Sequence, residues 1–179
     1  MPDVLTHYVV SYLISTRVFR FKESLVIALV GLLPDIDVLL MIHRWVSHSL
    51  LIPTSTLLLI PLITKYLGRE YLKYLVVSVI LYILHIILDL FTASTPILWP
   101  INTQSYFLTI KLDGMLSDSG IRLTPNIVVN TEVSDFTRRT VLEGPLITDV
   151  GVVITIATVL TLTTEYFIKR FSGKYSSGF

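Results

Sequence analysis

Residues 32–49 read Leu-Leu-Pro-Asp-Ile-Asp-Val-Leu-Leu-Met-Ile-His-Arg-Trp-Val-Ser-His-Ser, setting two carboxylates, two imidazoles and a guanidinium into flanking sequence that is nearly unbroken Leu, Ile and Val. An ionised aspartate at the middle of a bilayer-spanning helix costs about 2.5–3.5 kcal/mol on insertion scales, so such a cluster needs partners. A second polar interruption, His85-Ile86-Ile87-Leu88-Asp89, lies inside another apolar run. The histidines of the chain are His7, His43, His48 and His85, so most of the imidazole is tied to these two interruptions. The fold this implies is a set of apolar helices with their ionisable groups gathered toward one end.

Composition agrees. Of 179 residues 53% are hydrophobic, above the roughly 45–50% usual for soluble domains, and the mean hydropathy is +0.73. This is the composition of a membrane protein. A net charge of +1 provides no basic face for nucleic acid. With no cysteine, thiolate sites and disulfides are excluded, and a metal would have to be held by imidazole and carboxylate, a donor set that suits zinc, manganese or iron. The first apolar stretch follows Asp3 and precedes Arg17, Arg20 and Lys22, the reverse of a cleaved signal, and is expected to be retained.

Five apolar segments are expected, at residues 4–18, 24–42, 49–67, 71–91 and 146–168. The first is short for a span. Pro34 should break or kink the second just before its aspartates, while Pro53 and Pro61 interrupt the third. Residues 92–144 change character: alternating stretches at 105–112 and 121–133 read as strands about a turn at Asp113-Gly114 or Ser119-Gly120. The expected architecture is mainly α, a polytopic membrane protein with a small β-rich extracytoplasmic cap. It divides into N-terminal helices carrying the His and Asp motifs (1–93), the cap (94–145), and a last helix with a cytoplasmic tail (146–179).

Basic residues orient the segments, because cytoplasmic loops are enriched in Lys and Arg. If all five cross, Arg17, Arg20 and Lys22, then Lys65, Arg69 and Lys73, then Lys169, Arg170 and Lys174 share one side, which should be the cytoplasm. The opposite side receives the amino terminus and every histidine. The charge rule takes no account of histidine, so this convergence supports a single extracytoplasmic site by a separate route.

His85 and Asp89 are four apart and share one helix face, as two ligands of one metal would, or as a hydrogen-bonded pair tying helices together. Asp35 and Asp37 would diverge on a regular helix; the Pro34 break allows them a common direction, whereas Pro-Asp-x-Asp can also be a simple helix restart. Arg44 is either a counter-ion to Asp35 or Asp37, an interfacial snorkelling side chain, or a clamp for a substrate phosphate. Ser47 and Ser49 flank His48 without a G-x-S-x-G elbow, which argues against a serine hydrolase.

Thr6-His7, Leu33-Pro34-Asp35-Ile36-Asp37, His43-Arg44 with Ser47-His48-Ser49, and His85 to Asp89 with Trp99-Pro100 downstream resemble, in that order, the membrane-bound metal-dependent hydrolases known as YdjM-like proteins and their archaeal relatives. Where that family usually has His-Arg-Gly-x-Thr-His, this chain carries Trp45 and Ser47. The family is similar in turn to zinc-dependent phospholipases C, and the resemblance therefore implies phosphoester hydrolysis.

On this reading His7, Asp35, His43, His48, His85 and Asp89 are the candidate metal ligands, for one or two divalent ions, zinc before manganese. Asp37 is the candidate general base and Arg44 the stabiliser of charge on the substrate, although Asp35 and Asp37 could exchange roles. A lipid or polyprenyl phosphate is the expected substrate and membrane lipid the expected partner; the oligomeric state is not predicted. Two other classes remain: a scaffold whose metal or polar network only ties helices, and a cation transporter, which the lack of an acidic path through the third and fifth segments disfavours.

Overall fold

The computed structural model describes residues 3–42, 44–118, 120–141 and 144–175. It is mainly helical with one two-stranded sheet. Helix α1 (Val4–Ser15) begins at Asp3, whose buried carboxylate accepts the Thr6 backbone N–H. The other oxygen of Asp3 accepts from the backbone N–H of Thr148, at 2.6 Å, and from the Thr148 hydroxyl. Thr148 immediately precedes α6 (Asp149–Tyr175), so a single carboxylate serves the amino ends of two helices, where unpaired N–H groups and the helix dipole both favour negative charge. Burial works to raise the Asp3 pKa, but the donors of Thr148 and Thr6 outweigh it and hold the group below the usual carboxylate range. Gly151 makes the close approach possible, since a Cβ there would press on the Asp3 carboxylate.

These contacts fix direction. With their starts joined at Asp3 and their far ends joined by the Arg17–Glu165 ion pair at 2.6 Å, α1 and α6 run parallel. Helix α5 (Leu72–Leu90) runs against them: Lys73 near its start lies over the Phe19 ring, 5.5 Å from the centroid, while Asp89 near its end meets His7 of α1 at 3.3 Å. Phe19, Val77 and Leu81 form an apolar core beside the first of these contacts, packed by Ile14, Ile27 and Tyr74. Arg17, just past α1, and Lys73 of α5 thus lie at one end of the bundle, and His7 and His85 at the other.

Helix α2 (Phe21–Ile27) continues into a 3-10 helix over Ala28–Leu40. Runs of 3-10 longer than three or four residues are uncommon, and the sequence supplies the reason. Pro34 has no N–H and its ring would clash with the carbonyl four residues back. Three residues per turn, about 120° each, eclipse positions three apart. Ala28, Gly31, Pro34 and Asp37 accordingly form a single buried row, all small or bonded. Leu33, Ile36 and Leu39 form an exposed row, and Leu29, Leu32 and Asp35 lie between the two. Asp35 and Asp37 therefore occupy adjacent faces.

Among the described residues, two helical stretches are long and apolar enough to cross a membrane, Arg69–Leu90 with 22 residues and Asp149–Phe171 with 23. The sequence led us to expect about five, and three of those are not uniform spans. Helix α1 has 12 residues. The second segment is the composite just described, and the third divides into α3 (Leu51–Thr56), a 3-10 turn over Leu57–Leu59, and α4 (Ile60–Tyr66). Pro61 stands in the first turn of α4, where its missing N–H costs nothing but ends the preceding helix.

Strands β1 (Gln104–Ser117) and β2 (Gly120–Val133) form one antiparallel hairpin. β1 ends at Ser117, paired with Gly120 at φ 115°, while Gly114 lies within β1 opposite Leu123. Asp113-Gly114 is therefore not the turn, and Ser119 of the other expected turn lies outside the described residues. Period-two alternation puts the pairs Leu108–Val129, Ile110–Ile127, Leu112–Pro125 and Leu116–Ile121 on one face, and Lys111–Asn126 and Asp113–Thr124 on the other. Paired backbone hydrogen bonds between Thr95 and Tyr106, both 2.9 Å, tie the hairpin's base to the loop after α5.

Loss of the shared cap is the direct test of this arrangement. Replacing Asp3 by Ala should lower unfolding stability by about 2 kcal/mol, twice the ~1 kcal/mol of an ordinary N-cap. Thr148→Ala should cost less, because its backbone N–H still finds Asp3. A loss of only ~1 kcal/mol for Asp3→Ala with none for Thr148→Ala would show that Asp3 serves α1 alone.

Candidate metal centre

Four side chains from three parts of the chain meet at the end of the bundle: Asp35 of the 3-10 helix, His48 of the short turn Val46–His48, and His85 and Asp89 of α5. One donor atom from each lies within 4.8 Å of all the others. His48 Nε2 is 3.3 Å from Asp89 Oδ2 and 3.6 Å from Asp35 Oδ1, and His85 Nε2 is 3.5 Å from Asp35 Oδ1. Ligands at ~2.0–2.1 Å from a tetrahedral zinc are separated by about 3.3–3.4 Å, so three of these edges approach the size a metal would set. His48, His85 and Asp89 are buried, while Asp35 keeps 19% of its side chain exposed.

The ring orientations suit ligation. His85 Nδ1 donates to the carbonyl of Gly31 at 2.7 Å. A carbonyl only accepts, so Nδ1 carries a proton and Nε2 is the ring nitrogen turned to the cluster. That Nε2 is buried, and among the described residues it makes no hydrogen bond. His48 Nδ1 donates to Asp37 Oδ2 at 3.1 Å, again turning Nε2 to the cluster. Asp37 Oδ2 also accepts the Trp45 N–H at 2.7 Å and the Ser47 hydroxyl at 2.9 Å. Such carboxylate–histidine pairs fix the tautomer and raise the basicity of a ligating imidazole. Tyr82 steadies the turn from α5, donating to the Ser47 carbonyl at 2.7 Å.

Asp89 is the hub. Its Oδ2 accepts from Arg44 Nε at 2.8 Å, and its Oδ1 lies 3.3 Å from His7 Nε2. The His7 ring stacks on His85 with centroids 3.8 Å apart and 19° between planes. Arg44 has φ 55°, a left-handed conformation uncommon for a side-chain-bearing residue. It is 8% exposed, and its second terminal nitrogen, Nη2, finds no hydrogen-bond partner among the described residues.

Charge is out of balance. Among the described residues three carboxylates, Asp35, Asp37 and Asp89, meet one permanent cation, Arg44, in surroundings that screen poorly. The remainder must be balanced by protons on imidazole or by a cation. His48 shows the proton's version of that balance: burial opposes its charge, yet Asp35, Asp37 and Asp89 around it push its pKa up to about 10. The cluster could hold a divalent metal ion, and its donors, their spacing and the buried Nε2 of His85, which makes no hydrogen bond among the described residues, all fit one.

Of the residues singled out from sequence, His7, Asp35, Asp37, Arg44, His48, His85 and Asp89 are brought together, and His43 lies outside the described residues. His7 reaches the group through Asp89 and stacking, and Asp37 through His48. Arg44 pairs with Asp89. Sequence reasoning did not pick out Gly31. Its carbonyl orients His85, and a Cβ there would overlap the Ser11 hydroxyl of α1. A lone glycine in an apolar helical pattern, signalling close backbone approach, was the available clue.

Fold and site together define a helical membrane protein built round a buried imidazole–carboxylate cluster able to hold a metal. The chain belongs to the YdjM inner membrane protein family, whose model matches residues 1–166. No curated protein and no solved structure matches it.

The Gly31 contact carries an expectation. Gly31→Ala should destabilise the protein by about 1–3 kcal/mol through overpacking and release His85 from its orienting carbonyl. Adding Ser11→Gly, which removes the colliding side chain, should restore both thermal stability and divalent-metal retention. A Gly31→Ala protein that unfolds and retains metal like wild type would show that the close packing does not matter.

Proposed function

We propose that this protein is a metal-dependent hydrolase of a phosphoester at the outer face of the membrane, with a lipid or polyprenyl phosphate as substrate. The observation that carries the reading is the imbalance at the cluster: two carboxylates and two imidazoles at ligand spacing, beside a buried arginine with an unused donor. In this reading the five apolar segments cross or enter the membrane, the basic ends of α1, α5 and α6 face the cytoplasm, and the hairpin stands on the site side.

His48, His85 and Asp89 would hold the ion and leave a position for water beside Asp35, with zinc preferred and manganese the alternative. When bound, such an ion supplies Lewis-acid polarisation of a phosphoryl oxygen and a water acidic enough to attack at neutral pH. Asp37 has His48, Trp45 and Ser47 on one oxygen, which suits it to positioning His48. Asp35, the most exposed of the four, meets the imidazoles through Oδ1 and is better placed to accept the water's proton on its other oxygen. Of the two assignments that the sequence left exchangeable, we therefore favour Asp35 as base. Arg44, anchored through Nε on Asp89, offers Nη2 to a phosphoryl oxygen. Water oxygen bonds to phosphorus, the ester P–O bond breaks, and the proton held on Asp35 passes to the departing alkoxide.

Two measurements test this. Purified protein should carry about one equivalent of zinc or manganese and release p-nitrophenolate from a p-nitrophenyl phosphodiester. Arg44→Ala should retain metal but lose about a hundredfold or more in kcat/KM, the scale of a lost transition-state donor. Wild-type protein with full metal and no turnover of mono- or diesters would overturn the hydrolase reading.

The second concerns pH. His48 must lose its proton to ligate, and its raised pKa means that over pH 6–8 the apparent zinc dissociation constant should rise about tenfold per unit of acidification. Calorimetry in buffers of different ionisation enthalpy should register at least about one proton released per ion. Binding without proton release would remove His48 from the ligand set.

A further inference from the structure

A groove of about 330 Å³ runs along the outside of the 3-10 helix. Leu29, Leu32, Leu33, Ile36 and Leu39 form one wall and Val4 of α1 the other. Among the described residues the only charged one lining it is Asp35, which also belongs to the candidate metal centre. The groove is therefore apolar except where Asp35 connects it to the cluster. Three residues per turn cause this: the row of Leu29, Leu32 and Asp35 and the row of Leu33, Ile36 and Leu39 stay in register along the helix, where an α-helix would spiral them apart.

We infer that this groove takes the hydrocarbon chain of an anionic amphiphile whose phosphoryl head sits at Asp35, so that the site is entered sideways from the lipid phase. The inference deepens the hydrolase reading and rests on it for turnover, although binding can be examined separately. Three observations support that occupant. The walls are aliphatic throughout, as a hydrocarbon chain requires. From Leu29 to Asp35 the 3-10 rise of ~2 Å per residue gives about 12 Å, most of the ~15 Å depth of one leaflet's hydrocarbon. At the head, Asp35 joins the groove to the candidate metal centre, where the hydrolase reading places the phosphoryl group; Arg44 belongs to that centre through Asp89, does not line the groove, and keeps Nη2 without a partner among the described residues. A water-soluble phosphoester would use the head position and leave the apolar walls without a purpose. Leu29 and Leu33, 52% and 45% exposed, become the residues that set chain preference.

The test uses full-length, metal-loaded protein in a phosphate-free maltoside detergent. Leu29→Trp fills the groove far from the cluster; Leu62→Trp, on α4 and likewise 52% exposed, is the control. The first probe is hexadecyl phosphate carrying a diazirine at the chain end. It should label the 28–40 helix, be displaced at least about tenfold more effectively by hexadecyl phosphate than by ethyl phosphate or hexadecanol, and lose that labelling in Leu29→Trp only. Labelling spread over all apolar helices, or unaffected by Leu29→Trp, would overturn the inference. The second readout is the ratio of kcat/KM for hexadecyl and ethyl p-nitrophenyl phosphates. It should fall by about tenfold or more in Leu29→Trp with the ethyl ester unchanged; micelle partitioning cancels because it is common to both proteins. Turnover of both esters with an unchanged ratio rejects the groove and leaves the hydrolase standing. Site-specific labelling with no turnover of either ester rejects the hydrolase and leaves the groove as an amphiphile-binding site.

Discussion

Uncompensated negative charge in a buried place is the constraint on which the rest depends. Asp35, Asp37 and Asp89 lie among three imidazoles with one guanidinium for company. A buried pair of opposite charges is at best modestly stabilising, and unmatched carboxylates are strongly unfavourable. Such an arrangement persists only if something positive completes it. Protons on imidazole can do so, and a divalent ion does so with better geometry, because the nitrogens and oxygens already point at a common place. The connection between charge and function is that whatever completes the cluster also becomes its reagent.

The scaffold is shaped to hold that arrangement. Gly31 lets the 3-10 helix press against Ser11 of α1, and this brings its carbonyl to His85. Pro34 enforces the winding that separates Asp35 from Asp37 by one face, leaving Asp37 inward toward His48 and Asp35 toward the groove. The Asp3 carboxylate joins the starts of α1 and α6, holding His7 level with Asp89. Each of these contacts lies at the same end of the bundle, and none is an apolar contact. Apolar packing is concentrated at the other end, about Phe19 and Leu81. In a membrane, where lipid offers no hydrophobic drive for helices to associate, polar contacts and close small-residue packing are what remain to define the assembly.

Much of this was legible in the sequence, and the part that was not has a physical cause. Charges and imidazoles interrupting Leu-Ile-Val runs are visible as exceptions, and a four-residue spacing brings His85 and Asp89 to one helix face without any knowledge of tertiary structure. Lengths were harder: Pro61 was visible inside the third segment, but not the 3-10 turn over Leu57–Leu59 that separates α3 from α4. The proline at 34 signalled a disruption but not its form. A continuous 3-10 helix follows only once Gly31, Pro34 and Asp37 are seen to need one buried row, which is a tertiary demand. The partner of Arg44 was equally hidden, since Asp35 and Asp37 are near in sequence and Asp89 is not. The hairpin was readable from alternation, because a two-stranded sheet needs little beyond a turn and period two.

The most direct test of the central claim is zinc K-edge X-ray absorption on the purified, zinc-loaded protein. The account predicts a first shell of nitrogen and oxygen only, at about 2.0–2.1 Å, with multiple scattering from two imidazoles that drops to one in His85→Gln. Zinc with no imidazole in its shell, or a spectrum indifferent to both His85→Gln and His48→Gln, would contradict it and leave the cluster as a proton-balanced network joining the helices.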